Sequence, residues 1–278
     1  MTPRELIRRT AADFRASGVP DPEVDAALLL SHLTGQPPLL LRTDDWTALP
    51  DEALSAFRSL ARRRMAREPL QYLLGSQSFL GRDFRVDGRV LIPRPETELL
   101  AERAIAALTQ AGRGAMALDL CCGSGCIAVS MALAVPGARV HACDLSSDAL
   151  AVTRFNAAAL SAAVTLHQGD LLAAVDGLAF HVIVSNPPYI PSADCLTLQR
   201  EVLQEPLMAL DGGADGLDFY RRIAAEAPAR LVPGGVLLLE VGHDQAEAVS
   251  AMLEHAGFRD VRAHEDYQHI PRMIEARH

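Results

Sequence analysis

The sequence predicts an α/β chain: an open, wound parallel sheet of seven strands with flanking helices, preceded by a small helical domain and a β-hairpin linker. Three observations lead there. Beyond residue 95, short apolar runs alternate with helical stretches, the pattern of a wound sheet. Before residue 75, apolar positions recur only at helical spacing. Between the two lies a short segment punctuated by Gly81 and by Asp87-Gly88. The resulting division is 1–75 helical, 76–93 hairpin linker and 94–278 sheet domain.

Composition narrows the class further. With 278 residues, 49% hydrophobic and 22% charged, the chain can bury a sizeable core and is neither disordered nor fibrous. Its uninterrupted apolar runs, such as residues 26–30 and 236–239, fall far short of the roughly 20 residues that span a bilayer. Arg4, Arg8 and Arg9 precede no apolar segment of signal-peptide kind, so a cytoplasmic protein is expected. The net charge of −9 argues against broad contact with a phosphate backbone. All 26 cations are arginines. Neither the five cysteines nor the nine histidines show metal-ligand spacing, and no metal is expected.

In the first 75 residues, Leu6, Ala11 and Phe14 define one helix, and Val24, Ala27 and Leu28 a second, across a Gly18-Val19-Pro20-Asp21 turn. A helix from Asp51 carries Arg62, Arg63, Arg64 and Arg67, which reads as a solvated face rather than a contact for an acidic partner. Segments 78–85 and 89–92 read as the hairpin arms. Strands are expected at 115–120, 139–143, 164–167, 181–185 and 235–241, with a further pair near Val261 and Met273. Helices fill 96–111, 125–134, 147–160, 217–231 and 245–256.

The first strand of the sheet domain ends in Asp119-Leu120-Cys121-Cys122-Gly123-Ser124-Gly125, which opens a helix. Glycines there let a ligand approach the unpaired N–H groups of the helix N-terminus. The loop also satisfies a dinucleotide fingerprint, with Asp144 closing the second strand where a carboxylate accepts ribose hydroxyls. A nicotinamide enzyme and an S-adenosylmethionine enzyme both fit so far. Asp119 favours the second, because a carboxylate at that point repels a pyrophosphate and attracts a sulfonium or ammonium group. Asp170, after the third strand, is placed to bond an adenine amino group with Leu171 against the ring, although a plain turn aspartate accounts for it nearly as well.

The fourth strand runs into Asn186-Pro187-Pro188-Tyr189. Two prolines cannot donate to a sheet ladder, so the chain leaves the carboxyl edge along a stiff path, at the edge where open α/β sheets bind ligands. Such a loop suits methylation of a planar NH2 group. Asn186 Oδ1 and the Pro187 carbonyl can each accept one N–H, while Tyr189 packs on the flat face of the group.

At these residues the chain resembles the HemK/PrmC family, the glutamine N-methyltransferases of class I peptide-chain release factors. The resemblance extends to Pro69-Leu70-Gln71-Tyr72-Leu73-Leu74-Gly75, Phe79-Leu80-Gly81, Leu91-Ile92-Pro93-Arg94-Pro95-Glu96-Thr97-Glu98-Leu99, Glu205-Pro206 with Ala209-Leu210, Gly212-Gly213, Asp215-Gly216-Leu217-Asp218-Phe219-Tyr220 and Leu239-Glu240-Val241-Gly242-His243-Asp244-Gln245. It implies a Rossmann-like, seven-stranded methyltransferase domain using S-adenosylmethionine and releasing S-adenosylhomocysteine. By the same carry-over, Cys121 to Gly125 face the methionine part, Asp144 the ribose, and Asp170 with Leu171 the adenine. Asn186, Pro187, Pro188 and Tyr189 grip a glutamine in a Gly-Gly-Gln loop, and Leu91 and Arg94 help line the pocket. Its size, its separation by a hairpin and its lack of catalytic residues lead us to expect that the helical domain recognises the protein substrate, and a monomer is expected. Two positions depart from the family: Cys121 replaces a glycine, and His269-Ile270-Pro271-Arg272 stands where a Gly-Arg-Asp-Arg run is usual. The competing functions are an amino-methyltransferase of DNA or RNA bases, a methyltransferase of another protein glutamine, and a non-catalytic adapter on the same fold.

Overall fold

The computed structural model describes residues 1–43 and 49–278, which fall into two units. One comprises Met1–Ser76 with Gln199–Gln204, the other Gln77–Leu198 with Glu205–His278. No described helix is long and apolar enough to cross a membrane.

The first unit contains α1 (Pro3–Ala16), α2 (Pro22–Thr34), α3 (Asp51–Met65) and the short α4 (Leu70–Leu74). Thr2 and Glu5 form a reciprocal capping box that starts α1. Phe14, Leu29, Leu30, Leu41 and Phe57 are buried together as its core. The part of the expected helical stretch at 44–48 lies outside the described residues. The arginines of α3 do not all form a solvated face. Arg64 is only 4% exposed, with Nε 2.7 Å from Asp25 and Nη1 2.9 Å from Glu201. Arg67 grips the same Glu201 carboxylate through two bonds of 2.6 Å. A buried guanidinium needs such partners, and here they fix residues Gln199–Gln204 to the helices.

From Gln77 on, the second unit begins with a hairpin of β1 (Ser76–Phe79) and β2 (Arg82–Arg85). Its turn is Leu80-Gly81, both at positive φ (47° and 72°), which matches the twist of a two-residue hairpin. The expected second arm at 89–92 is not a strand. The Asp87 carboxylate accepts the Arg89 N–H and its carbonyl the Val90 N–H, closing a local turn instead.

Then follow α5 (Pro95–Ala111), β3 (Met116–Leu120), α6 (Cys126–Ala134), β4 (Arg139–Asp144), α7 (Ser147–Ala159), β5 (Val164–Gln168), β6 (Phe180–Ser185), α8 (Asp218–Glu226), β7 (Leu231–Glu240), α9 (Ala246–His255), β8 (Arg259–Glu265) and β9 (Pro271–Arg277). The helix expected over 217–231 ends at Glu226 and tightens into a 3-10 turn at Ala227–Arg230, where Pro228 has no N–H to continue it. Strand order is β5-β4-β3-β6-β7-β9-β8. The sheet is mixed rather than wholly parallel: β9 runs antiparallel to β7 and β8 antiparallel to β9. The few residues joining β8 to β9 are too few for a crossover, so those strands can only form a hairpin.

Alternation along the strands supplies a core on each face. Ala117, Val182, Val184 and Leu238 pack on one side, Leu118, Leu120, Ile183, Leu237 and Leu239 on the other. From β3 the chain moves to β4 and β5 on one side, and from β6 to β7 on the other. The carboxyl ends of β3 and β6 therefore form the switch point of the sheet, where a crevice opens.

Candidate functional site

A cavity of about 440 Å³ lies at that switch point. Its wall includes Leu120, Cys121 and Gly123 after β3, Cys143 and Asp144 from β4, Gly169, Asp170 and Leu171 after β5, and Asn186 and Pro188 after β6. Leu91, the turn Pro206 to Ala209, Arg89 and Asp211 also line it.

The β3–α6 loop keeps its shape through backbone conformations that most residues avoid. Cys121, Gly123 and Gly125 all have positive φ (61°, 54° and 78°). Cys121 therefore occupies a left-handed position where glycine carries no strain. A Cβ on Gly125 would lie 2.5 Å from Thr153 Cγ2, so that position has no room for a side chain. Asp144 spans the loop: its carboxylate accepts the Gly123 N–H and the Ser146 N–H, each at 2.9 Å. Burial raises its pKa against the pull of those N–H groups.

Asp119 is placed differently from its sequence reading. Its side chain is buried beneath the loop, with Oδ2 accepting the Ala128 N–H at 2.9 Å in the first turn of α6. Burial pushes its pKa up to about 8, which removes the standing charge that a cationic ligand group needs. It braces the loop from inside. Cys122 and Ser124 are likewise buried, and among the described residues neither they nor Gly125 lie on the cavity wall.

Asp170 does reach the wall, paired with Arg222 Nη2 on α8 at 2.8 Å, and Leu171 lies beside it. Arg94 instead pairs with the Glu205 carboxylate, whose other oxygen accepts the Ile92 N–H at 3.0 Å. That pair holds Leu91 on the wall while Arg94 itself is absent from it.

The Asn186 to Tyr189 loop is fixed at several points. The Ser185 hydroxyl donates to the Leu120 carbonyl at 2.6 Å, tying the ends of β6 and β3 together. Asn186 Nδ2 donates to Thr97 Oγ1 at 3.3 Å, and that hydroxyl donates to Glu240 Oε2 at 2.7 Å. Pro187 is buried, and Pro188 after it lies on the wall. Tyr189 is half-buried off the wall: its hydroxyl accepts from Arg272 Nη2 at 3.3 Å, and its carbonyl accepts from Gln245 Nε2 at 2.9 Å. Gly212 lets residues 210–213 lie against the loop, since a Cβ there would come 2.8 Å from the Pro188 carbonyl oxygen and from Tyr189 Cα.

Sequence reasoning gave no role to Thr97, Glu240, Gln245, Arg222 or Arg272. The first three sit inside the motif stretches quoted for the resemblance, which was the available signal. Arg272 reaches Tyr189 because β9 pairs with β7, a partnership between residues far apart in the chain.

An open sheet of this order, with an acid closing its second strand and an Asn-Pro-Pro-Tyr loop after its fourth, defines the class of Rossmann-like methyltransferases. The fold is shared with a solved methyltransferase from Pyrococcus furiosus, at 18% identity and a TM-score of 0.56, over 78% of this chain and 98% of that one. Residues 5–75 match the PrmC N-terminal domain model and residues 97–213 the methyltransferase small domain model. The chain is 43% identical to a release factor glutamine methyltransferase of Geobacter sulfurreducens, over 99% of this chain and 96% of the relative. It is 42% identical to the one from Chlorobaculum tepidum, over 97% and 95%. This chain belongs to the release factor glutamine methyltransferase family.

Proposed function

We propose that this chain methylates the side-chain amide nitrogen of a protein glutamine, in the Gly-Gly-Gln loop of class I peptide-chain release factors, using S-adenosylmethionine. The observation that carries this reading is the Asn186 amide on the wall of a cavity at the sheet's switch point, with its nitrogen end already engaged by Thr97. Its oxygen end is what remains for a substrate N–H.

The cavity's volume and the charge on its wall support the methyl donor as its ligand. Asp144, Asp170 and Asp211 lie on its wall, Asp170 paired with Arg222, while the single cation there among the described residues, Arg89, is paired with Asp87. That balance suits a cationic ligand and opposes a phosphate backbone, which weighs against the nucleic-acid alternative. Asp144 is assigned to the ribose hydroxyls, Asp170 and Leu171 to the adenine, and Cys121 and Gly123 to the methionine end. The bound cofactor supplies an electrophilic methyl group attached to a sulfonium that leaves as a thioether.

An amide nitrogen is a poor nucleophile because its lone pair is delocalised, so the protein must orient it. Asn186 Oδ1 accepts one N–H and the Pro187 carbonyl the other, which holds the nitrogen in line and favours its pyramidal form. Methyl transfer, forming the N–C bond as the C–S bond breaks, would leave this nitrogen cationic, and it would release one proton to water. No strong base is required. The helical unit is assigned recognition of the protein substrate, supported by its match to the family's N-terminal domain and by Leu39, which is 78% exposed on it.

Single-turnover methylation of a release factor tests the clamp. Asn186→Ala is expected to lose about 100- to 1000-fold in rate. Asn186→Asp retains an acceptor and should lose less. Full activity in the alanine variant would refute the clamp.

A further inference from the structure

Asn186 can serve as an acceptor clamp only if its amide points one way. Rotation by half a turn about the last bond of its side chain exchanges Oδ1 and Nδ2, and a nitrogen facing the cavity donates where the reaction needs an acceptor. Something must select between the two. The groups able to do so sit behind the residue. Thr97, near the start of α5, is 3% exposed, and Glu240, the last residue of β7, is 1% exposed. The hydroxyl of Thr97 stands between Asn186 Nδ2, at 3.3 Å, and Glu240 Oε2, at 2.7 Å.

We infer that Thr97 and Glu240 are positioning residues that set the orientation of the Asn186 amide and so decide which end of it meets the substrate. A hydroxyl has one proton. An ionised carboxylate accepts only, so it claims that proton and leaves Thr97 Oγ1 with lone pairs alone for Asn186. The amide then presents Nδ2 to Thr97 and Oδ1 to the cavity. If Glu240 is protonated, it can donate to Thr97, which frees the threonine proton for Asn186 Oδ1 and turns the amide around.

A filling role for Glu240 is harder to sustain. Burying a carboxyl is costly when an apolar side chain would pack as well, and its Oε1 has no hydrogen-bond partner among the described residues. Burial pushes its pKa up to about 7, against the pull of Thr97 and of the positive charges of Arg272 and Arg94. Glu96 on α5 adds a repelling charge, and the phenols of Tyr189 and of Tyr220 on α8 also face it. The group is therefore set to change charge near neutral pH, with the productive orientation above that point.

This inference rests on the proposed amide clamp, so wild-type transfer to a purified release factor is measured first. Its absence overturns both. Given transfer, Thr97→Val, which keeps the shape and removes the hydroxyl, is expected to lower kcat 10- to 100-fold with the KM for release factor and the S-adenosylhomocysteine affinity within about twofold of wild type. Thr97→Ser should restore kcat to within about threefold. The kcat of the wild type should fall as pH drops through about 7, and Glu240→Gln, which cannot titrate, should lose that limb. A readout independent of turnover is the 15N side-chain amide resonance of Asn186, assigned with Asn186→Asp, which should move in Thr97→Val and return in Thr97→Ser. Should Thr97→Val fold poorly, Glu240→Leu removes the acceptor from the other side and should lower kcat well below Glu240→Gln. A wild-type kcat in Thr97→Val, an unmoved Asn186 resonance, or equal rates in Glu240→Gln and Glu240→Leu overturns the inference.

Discussion

Replacing Gly125 with alanine puts the architecture of the β3–α6 loop under direct load. The new methyl would lie 2.5 Å from Thr153 Cγ2 and 3.1 Å from its Cβ and Oγ1. Thr153 is fully buried and its hydroxyl donates to the Gly123 carbonyl at 2.8 Å, so it cannot retreat without releasing the loop. Two costs combine. A left-handed φ of 78° costs an alanine about 1 kcal/mol, and overpacking a rigid neighbour costs about 1–3 kcal/mol. A loss of about 2–4 kcal/mol is expected, within the about 5–15 kcal/mol that keeps a domain folded. Urea denaturation read at constant m-value measures it. Thr153→Ser removes the colliding methyl and keeps the hydroxyl, so the pair should show a favourable coupling of about 1–2 kcal/mol in a double-mutant cycle. Purely additive effects, or a Gly125→Ala loss under about 0.5 kcal/mol, would refute this account of the loop.

Three further outcomes follow from the site and its supports. Asp144→Ala should weaken S-adenosylhomocysteine binding by about 1–3 kcal/mol by titration calorimetry, and an unchanged affinity removes Asp144 from the ribose site. Asp119 has its folded pKa raised from the ordinary 3.8 to about 8, so it is neutral in the fold while ionised in the unfolded chain across that window. Its contribution to stability is whole below about pH 4 and declines as pH rises toward 8. Asp119→Asn keeps an acceptor for the Ala128 N–H and should flatten this decline. Glu240 adds a slope of the same sign up to about pH 7 in both proteins, and identical slopes overall would disprove the raised Asp119 value. Leu39→Asp should raise the KM for release factor several-fold with kcat and cofactor affinity intact; an unaltered KM takes Leu39 out of substrate recognition.

The sequence carried the sheet domain well because each of its signals is local. Apolar alternation marks β3 to β7, and glycines and prolines mark the two loops at the switch point. What escaped it depends on contacts between distant residues. Whether Asp119 faces a ligand or the underside of α6 depends on where the Ala128 N–H falls. Arg64 and Arg67 resemble any charged helix face until Glu201 is brought to them from 134 or more residues away. Arg94 reads as a binding residue until Glu205 is seen to hold it. The hairpin turn was misplaced because Asp87-Gly88 is a good turn signal in its own right, while the actual reversal uses Leu80, a poor residue for a positive φ. The Thr97 and Glu240 support of Asn186 joins three segments that only the assembled sheet brings together.

The central claim is tested most directly by incubating the full chain with methyl-labelled S-adenosylmethionine and a purified class I release factor, then mapping the label by peptide mass spectrometry. The account predicts one methyl group per release factor, on the side-chain nitrogen of the glutamine in the Gly-Gly-Gln loop, and none when that glutamine is replaced by alanine. Label on another residue, on nucleic acid in a competing extract, or on nothing while the cofactor binds normally would contradict it.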